Sequence, residues 1–275
     1  MFVIADEPNG RYNMRVSLWQ LQKKLEADTA TQLFDLQQLK RLNIHVQGLS
    51  LDDRGSAQSP RFFTPYLTAP FPNDDCLAKI EEDLGHPDES ELSSHHNFSR
   101  EFCRIWSDYM GRQIEETLIP EETSRWSMNV SAKLFHTLRF RGTPTSPNWE
   151  RGCNSVLIEK CNDQASPHMK AAIIINDNEG DSHFYRGEIL TVLYLIVWQM
   201  RELLLIPHIK IPVLVLSIIG SRGRLIEAFY ENGKLVLRAT QLYDLTKDTA
   251  VHFQRFADWW CSLPTGETLD RTWKR

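Results

Sequence analysis

The chain has no Cys-x-x-Cys pair, and its five cysteines, Cys76, Cys103, Cys153, Cys161 and Cys261, form an odd, scattered set. That argues against a disulfide framework, and reduced, buried thiols in an intracellular protein are expected. Basic charge is also short. Lys and Arg number 31 against 36 Asp and Glu, a formal net charge of −5, which speaks against a strongly basic nucleic-acid binder while leaving room for a local basic face. The apolar start at residues 1–5 is too short for a signal core and is cut by Asp6 and Glu7. The most apolar stretch, residues 189–206, carries Gln199, Arg201 and Glu202 and reads as a core helix rather than a membrane span. A cytoplasmic protein with no membrane partner is therefore expected. Gly-x-x-x-x-Gly-Lys-Ser/Thr, Gly-x-Gly-x-x-Gly, His-Glu-x-x-His and Gly-x-Ser-x-Gly are all missing, so P-loop and dinucleotide folds, zincins and serine hydrolases lose support. No cofactor or metal is expected, and no internal repeat is seen.

What is present is an ordinary globular composition over 275 residues, 41% hydrophobic, 10% aromatic and 24% charged. The pattern predicts an α+β fold, with a mixed central sheet over residues 155–240 flanked by helices. Residues 1–120 read as a mainly helical N-terminal region with long loops, and residues 121–275 as an α+β core in one continuous domain. Leucines at helical spacing over residues 17–39 predict one or two amphipathic helices. Residues 60–72 alternate Pro60, Pro65, Pro70 and Pro72 with Phe62, Phe63, Tyr66 and Phe71, an arm that excludes helix and packs on something. Residues 74–101 are acidic, and His86, His95 and His96 there read as solvated loop residues rather than metal ligands. A helix over 98–118 ends at Pro120. Strands are predicted at 155–160, 171–175 and 213–219, with a helix over 184–205 before Pro207. Asn232-Gly233 predicts a tight hairpin between residues 225–230 and 235–238, and residues 248–261 read as a closing helix.

Open α/β sheets place ligands at strand ends, which singles out Asp177, Glu188 and Ser217 as candidate catalytic groups: acids for base or cation chemistry, a hydroxyl for nucleophilic attack. Arg222 and Arg224 after the turn suit phosphate, and Tyr185 and Glu227 are further substrate-binding candidates. Each also has a structural explanation: turn former, first-turn helix acid, sheet hydroxyl or solvated turn residue. If the catalytic reading holds, Glu188→Ala should cost little stability and abolish activity. Arg125, Lys133, Arg139, Arg141, Arg151, Lys160 and Lys170, interleaved with Trp126, Phe135, Phe140 and Trp149, form the pattern that backbone contact with base stacking needs; solvated charges on ordinary elements give the same pattern.

Strand 155–160, strand 169–176, helix and strand 210–219 follow one another in an order that resembles the core of the PD-(D/E)XK nuclease superfamily, over about a quarter of the chain. That resemblance implies an acid on one strand and acid-x-Lys on the next, organising Mg²⁺ and water. Glu159 supplies an acid, but residues 169–176 hold no acid-x-Lys and Lys170 stands alone at their start. A nuclease-like domain that binds nucleic acid without cutting is what this implies. A second resemblance is carried by Arg186-Gly-Glu-Ile-Leu, by Ile211-Pro-Val-Leu-Val-Leu-Ser-Ile-Ile-Gly, by Arg224-Leu-Ile-Glu-Ala-Phe-Tyr-Glu-Asn-Gly-Lys-Leu-Val-Leu-Arg and by Leu242-Tyr-Asp. Over much of residues 120–262 the chain looks like a set of filamentous-fungal proteins that neighbours the arginine-containing cyclodipeptide synthases of fungal secondary metabolism. That resemblance implies a biosynthetic transferase joining arginine and a second amino acid from aminoacyl-tRNA. It would need an acyl-transfer site, an acidic pocket for a guanidinium (Asp177, Glu188 or Glu227), Ser217 as acyl acceptor, and the basic residues above as the tRNA face. A non-catalytic interaction module, using the 60–72 arm, is a third expectation.

Overall fold

The computed structural model describes residues 7–51, 62–66, 82, 97–106, 126–127, 153–163, 166–175 and 183–270. Two seven-residue runs, β6 (Met169–Ile175) and β8 (Val213–Ile219), are buried at every position and pair in parallel as the centre of an eight-stranded mixed sheet. Continuous β-branched and leucine runs suit that place, because a parallel pair crossed over by a helix is covered on both faces. The sheet runs β2 (Ile44–Gly48), β10 (Lys234–Ala239), β9 (Arg222–Glu231), β8, β6, β5 (Cys153–Cys161), β4 (Trp126–Ser127), with β11 (Tyr243–Asp244) also on β9, while β1 (Leu33–Phe34) and β7 (Phe184–Tyr185) pair apart from it. The fold is α+β, as the pattern predicts, and the sheet reaches beyond residues 155–240: β2 joins it from the N-terminal region, parallel to β10.

Turn chemistry sets the register of its second half. Gly220, at φ 56°, closes β8 onto β9. Asn232 and Gly233, at φ 51° and 79°, close β9 onto β10 in the tight hairpin that Asn-Gly favours.

Alternation along each strand divides the core into two clusters. One face carries Met169, Ala171, Ile173, Val213, Val215, Ile226 and Leu237, under α1 (Asn9–Ala27) and α3 (Arg186–Gln199). The other carries Ala172, Ile174, Leu214, Leu216, Ile218 and Phe229. Phe62, the helical residues 97–106 and α4 (Thr249–Trp260) pack on that second face. The arm expected to lie on the body does so where it is described: β3 (Phe63–Thr64) pairs with β12 (Leu263–Pro264), and Phe62 and Phe63 are buried. α2 (Leu36–Arg41) is closed by a capping box in which Asp35 and Gln38 satisfy each other's backbone N–H.

α3 is shorter than its apolar pattern predicts. It ends at Gln199, and the polar Arg201-Glu202 turn carries Leu203 and Leu204 out to 67% and 62% exposure. Its start is fixed by Arg186, whose guanidinium donates to the Leu25 and Glu26 carbonyls at the end of α1, where a cation is favoured. Close approach also requires Gly187, since a Cβ there would lie 2.5 Å from Cys153 Cβ on β5. Gly187→Ala gains about 1 kcal/mol of helix propensity. The overlap with an atom fixed to a sheet strand outweighs that gain, and a net loss of about 1–2 kcal/mol is expected in urea unfolding. No described helix is long and apolar enough to cross a membrane.

Candidate functional site

Glu188 is the third residue of α3, where its carboxylate accepts the Tyr185 backbone N–H at 2.8 Å. Arg224, projecting from β9 onto the same face, grips that carboxylate with both Nε, at 2.7 Å, and Nη2. Arg224 also donates to the His183 carbonyl at 2.9 Å and lies over the Phe184 ring. Ser217 stands beside Arg224 in the β8–β9 register, and its buried Oγ has no hydrogen-bond partner among the described residues. Four of the expected site residues, Glu188, Tyr185, Ser217 and Arg224, are thus gathered on the helix face of the sheet.

They are also sealed in it: Glu188 is 1%, Arg224 3% and Ser217 0% exposed. Both carboxylate oxygens of Glu188 are engaged by its cap and its arginine, so neither is offered to a substrate proton. The arginine fork is filled by protein and offers no place for phosphate. As placed, Glu188, Ser217 and Arg224 are closed to solvent, and the cluster fastens the start of α3 to β9. Arg222, half-buried, lies across from Ile219 and from Asp244 of β11. Glu227 belongs to neither group. Three residues beyond Arg224 on the same strand, it faces the opposite side of the sheet and pairs with Arg238 at 3.2 Å. Each described acid expected to receive a substrate guanidinium, Glu188 and Glu227, holds an arginine of its own chain. Asp177 lies outside the described residues, as do Arg125, Lys133, Arg139, Arg141 and Arg151.

The two described members of the basic set do not share a face either. Lys160 pairs with Met169 across β5–β6, whereas Lys170 pairs with Glu159, so alternation sends the two lysines to opposite sides. Lys160 is half-buried; Lys170 is 1% exposed and makes no tRNA-facing surface.

What surrounds Lys170 is the more chemical arrangement. One register row crosses the second face as Glu159, Lys170, Leu214, Glu227, Arg238 and Gln47. Lys170 Nζ sits 2.8 Å from a Glu159 carboxylate oxygen, donates to the Trp260 carbonyl at 2.5 Å, and lies 3.8 Å above the Trp126 ring centre. Trp260 Nε1 donates to the other Glu159 oxygen at 3.4 Å, a long contact. Burial pushes the Lys170 amine below its ordinary value, and the Glu159 charge opposes but does not cancel that push. The neighbouring thiols move the other way: burial raises Cys161, and raises Cys261 to about 12, leaving them inert thiols at neutral pH. Trp126 is half-buried and Glu159 retains a trace of exposure, so the outer wall of this pocket is β4 and its tryptophan.

The pairing was legible in principle. If residues 161 and 168 close the loop between two antiparallel strands, 159 faces 170; a lysine without a partner in sequence has one in register. Comparison with family models, characterised proteins and solved structures finds no match for this chain. Among the described residues no group of three His, Cys, Asp or Glu is placed to hold a metal ion.

Proposed function

We propose that this chain is an acyl-transfer enzyme that joins amino acids from aminoacyl-tRNA, in the manner of the cyclodipeptide synthases it resembles, with Lys170 and Glu159 as its acid–base pair. The observation that carries this reading is the buried Lys170 amine, drawn toward its neutral form between a carboxylate and two indoles. Aminolysis of an aminoacyl ester needs a base for the attacking α-ammonium and an acid for the departing ribose oxygen. A C–N bond forms, the ester C–O bond breaks, and the nitrogen gives up two protons, one through the base to solvent and one to the departing ribose oxygen. A lysine amine whose pKa is lowered by burial can relay these protons, and a carboxylate beside it can steady the charged form. A second aminolysis closes the ring and frees the second tRNA. The test is expression in a bacterial host with mass spectrometry of the medium. Arginine-containing diketopiperazines are expected from the wild type, and soluble protein with no such product overturns the reading.

A second reading is favoured by topology. β4, β5 and β6 form an antiparallel meander, α3 crosses over, and β8 returns parallel to β6. This order supports the nuclease-like reading of the sequence, with Glu159 and Lys170 on neighbouring strands. His168, buried against Phe63, stands two residues before Lys170, where an active nuclease carries an acid. On this reading the chain binds nucleic acid without cutting it. Binding should weaken steeply as salt is raised, with no Mg²⁺-dependent cleavage; salt-insensitive binding, or none, removes it.

A further inference from the structure

Lys170 as described is closed to any substrate, so a reaction there needs an element that can move. β5, β6 and β8 are locked into the sheet; the segment that follows α4 is not. It leaves the second face at Trp260 and Cys261 and is tied down at separate points. Leu263 and Pro264 pair with β3, and Thr265 N–H donates to the Phe62 carbonyl at 2.8 Å. The Thr268 carbonyl accepts from Ile209 and Lys210, and Asp270 N–H donates to the Pro207 carbonyl at 2.8 Å. Two histidines complete the attachment. His168 Nε2 meets the Thr265 carbonyl at 3.0 Å, and His208 Nδ1 meets Thr268 Oγ1 at 2.8 Å. The segment in turn holds the wall over Lys170: Trp126 Nε1 donates to the Ser262 carbonyl at 3.0 Å, and the Trp126 ring stacks on Phe63 of the strand that β12 pairs.

We propose that the segment from Ser262 to Asp270 is a strap that keeps Trp126 over the Glu159–Lys170 pair, and that acid releases it through His168 and His208. The proposal takes its purpose from the reading of Lys170 as a reacting amine, while the movement itself is measured without any product. His168 is 2% exposed and packed edge-on against Phe63. Burial, the largest effect, holds its pKa down to about 4; the Thr265 carbonyl and, more weakly, the Phe62 carbonyl pull it up, and the nearby His208 pushes it down. His208 is lowered by burial and by Arg11 of α1, against Asp163 of the β5–β6 turn and Glu267 of the strap itself. Arg11 and Arg15 are both tied to Glu7, just ahead of α1, and Arg11 Nε also donates to the His208 carbonyl at 3.0 Å. A histidine whose pKa is depressed in the closed state favours closure above its ordinary value and opposes it as pH falls toward the depressed one.

Hydrogen exchange of the full chain, corrected for the intrinsic pH dependence, reads the release. With a pKa of 6.5 for His168 in the open strap and about 4 in the closed one, opening at pH 5 should exceed that at pH 7 by about twenty-fold. The Thr265, Ile209, Lys210 and Asp270 amides should report it while β8 and β9 hold. In His168→Gln, which keeps an N–H for the Thr265 carbonyl and takes no proton, the acid response should flatten. A strap that does not respond, one that loosens only together with the sheet, or one that keeps its full response in His168→Gln overturns the proposal. Thr268→Val, which removes only the His208 contact, should raise the rate at which an N-hydroxysuccinimide ester acylates Lys170 at pH 7 several-fold; an unchanged rate overturns the claim that the strap covers it. A host that makes no diketopiperazine overturns the proposed function and leaves these exchange rates as they are.

Discussion

Glu188→Ala is expected to lose about 3–5 kcal/mol, enough to unfold much of a protein of ordinary stability near 37 °C. The substitution leaves the Arg224 guanidinium, 3% exposed, with the His183 carbonyl and the Phe184 face as its remaining shown partners. It also strips the Tyr185 N–H of its cap at the first turn of α3. An unpaired buried charge costs far more than the pair contributes, so the double variant Glu188→Met, Arg224→Leu should return to within about 2 kcal/mol of the wild type. The expectation drawn from sequence, that Glu188→Ala spares stability and abolishes activity, is thereby reversed in its first half. Urea unfolding of the two single variants and the double decides it. A Glu188→Ala chain as stable as the wild type would show that the carboxylate is not an anchor.

The difference between the two expectations lies in what a one-dimensional pattern carries. β6, β8, α3 and the Asn232-Gly233 hairpin were legible because period, turn residues and breakers act locally, over a few positions each. The meeting of Glu188 with Arg224 depends on a crossover helix landing beside β9, a contact between residues far apart in the chain that no local pattern encodes. Glu227 shows the complementary failure. It was grouped with Glu188 by chemistry, yet strand alternation alone separates it from Arg224, since an odd spacing changes face. β2 was missed as a sheet member for a similar reason: Ile44-His-Val-Gln-Gly is too short and too polar to announce a strand, and becomes one by lying parallel to β10. The sequence pattern places Lys170 among surface cations because buried lysines are rare. Only the β5–β6 register, with Glu159 opposite, makes its burial tolerable.

Lys170→Met is expected to reduce diketopiperazine formation by about 10²–10⁴-fold, the usual contribution of a positioned acid–base group. Loss of product alone would not separate chemistry from collapse. Removing the amine strands the Glu159 carboxylate, 7% exposed, with the long Trp260 N–H contact as its shown partner. Destabilisation of about 3–5 kcal/mol is therefore expected, since an unpaired buried charge is left behind. The double variant Glu159→Gln, Lys170→Met removes both charges and should recover most of that stability while remaining without product. The two effects part there: a folded, inactive double variant places the chemistry at this pair, whereas one that folds and still makes product assigns the pair to architecture, as the geometry already assigns Glu188 and Arg224 on the other face. Glu159→Gln alone leaves the lysine facing an amide in place of a carboxylate, which pushes its amine further toward the neutral form. Its pH–rate profile should accordingly rise at lower pH than that of the wild type, a displacement that a merely structural pair would not produce.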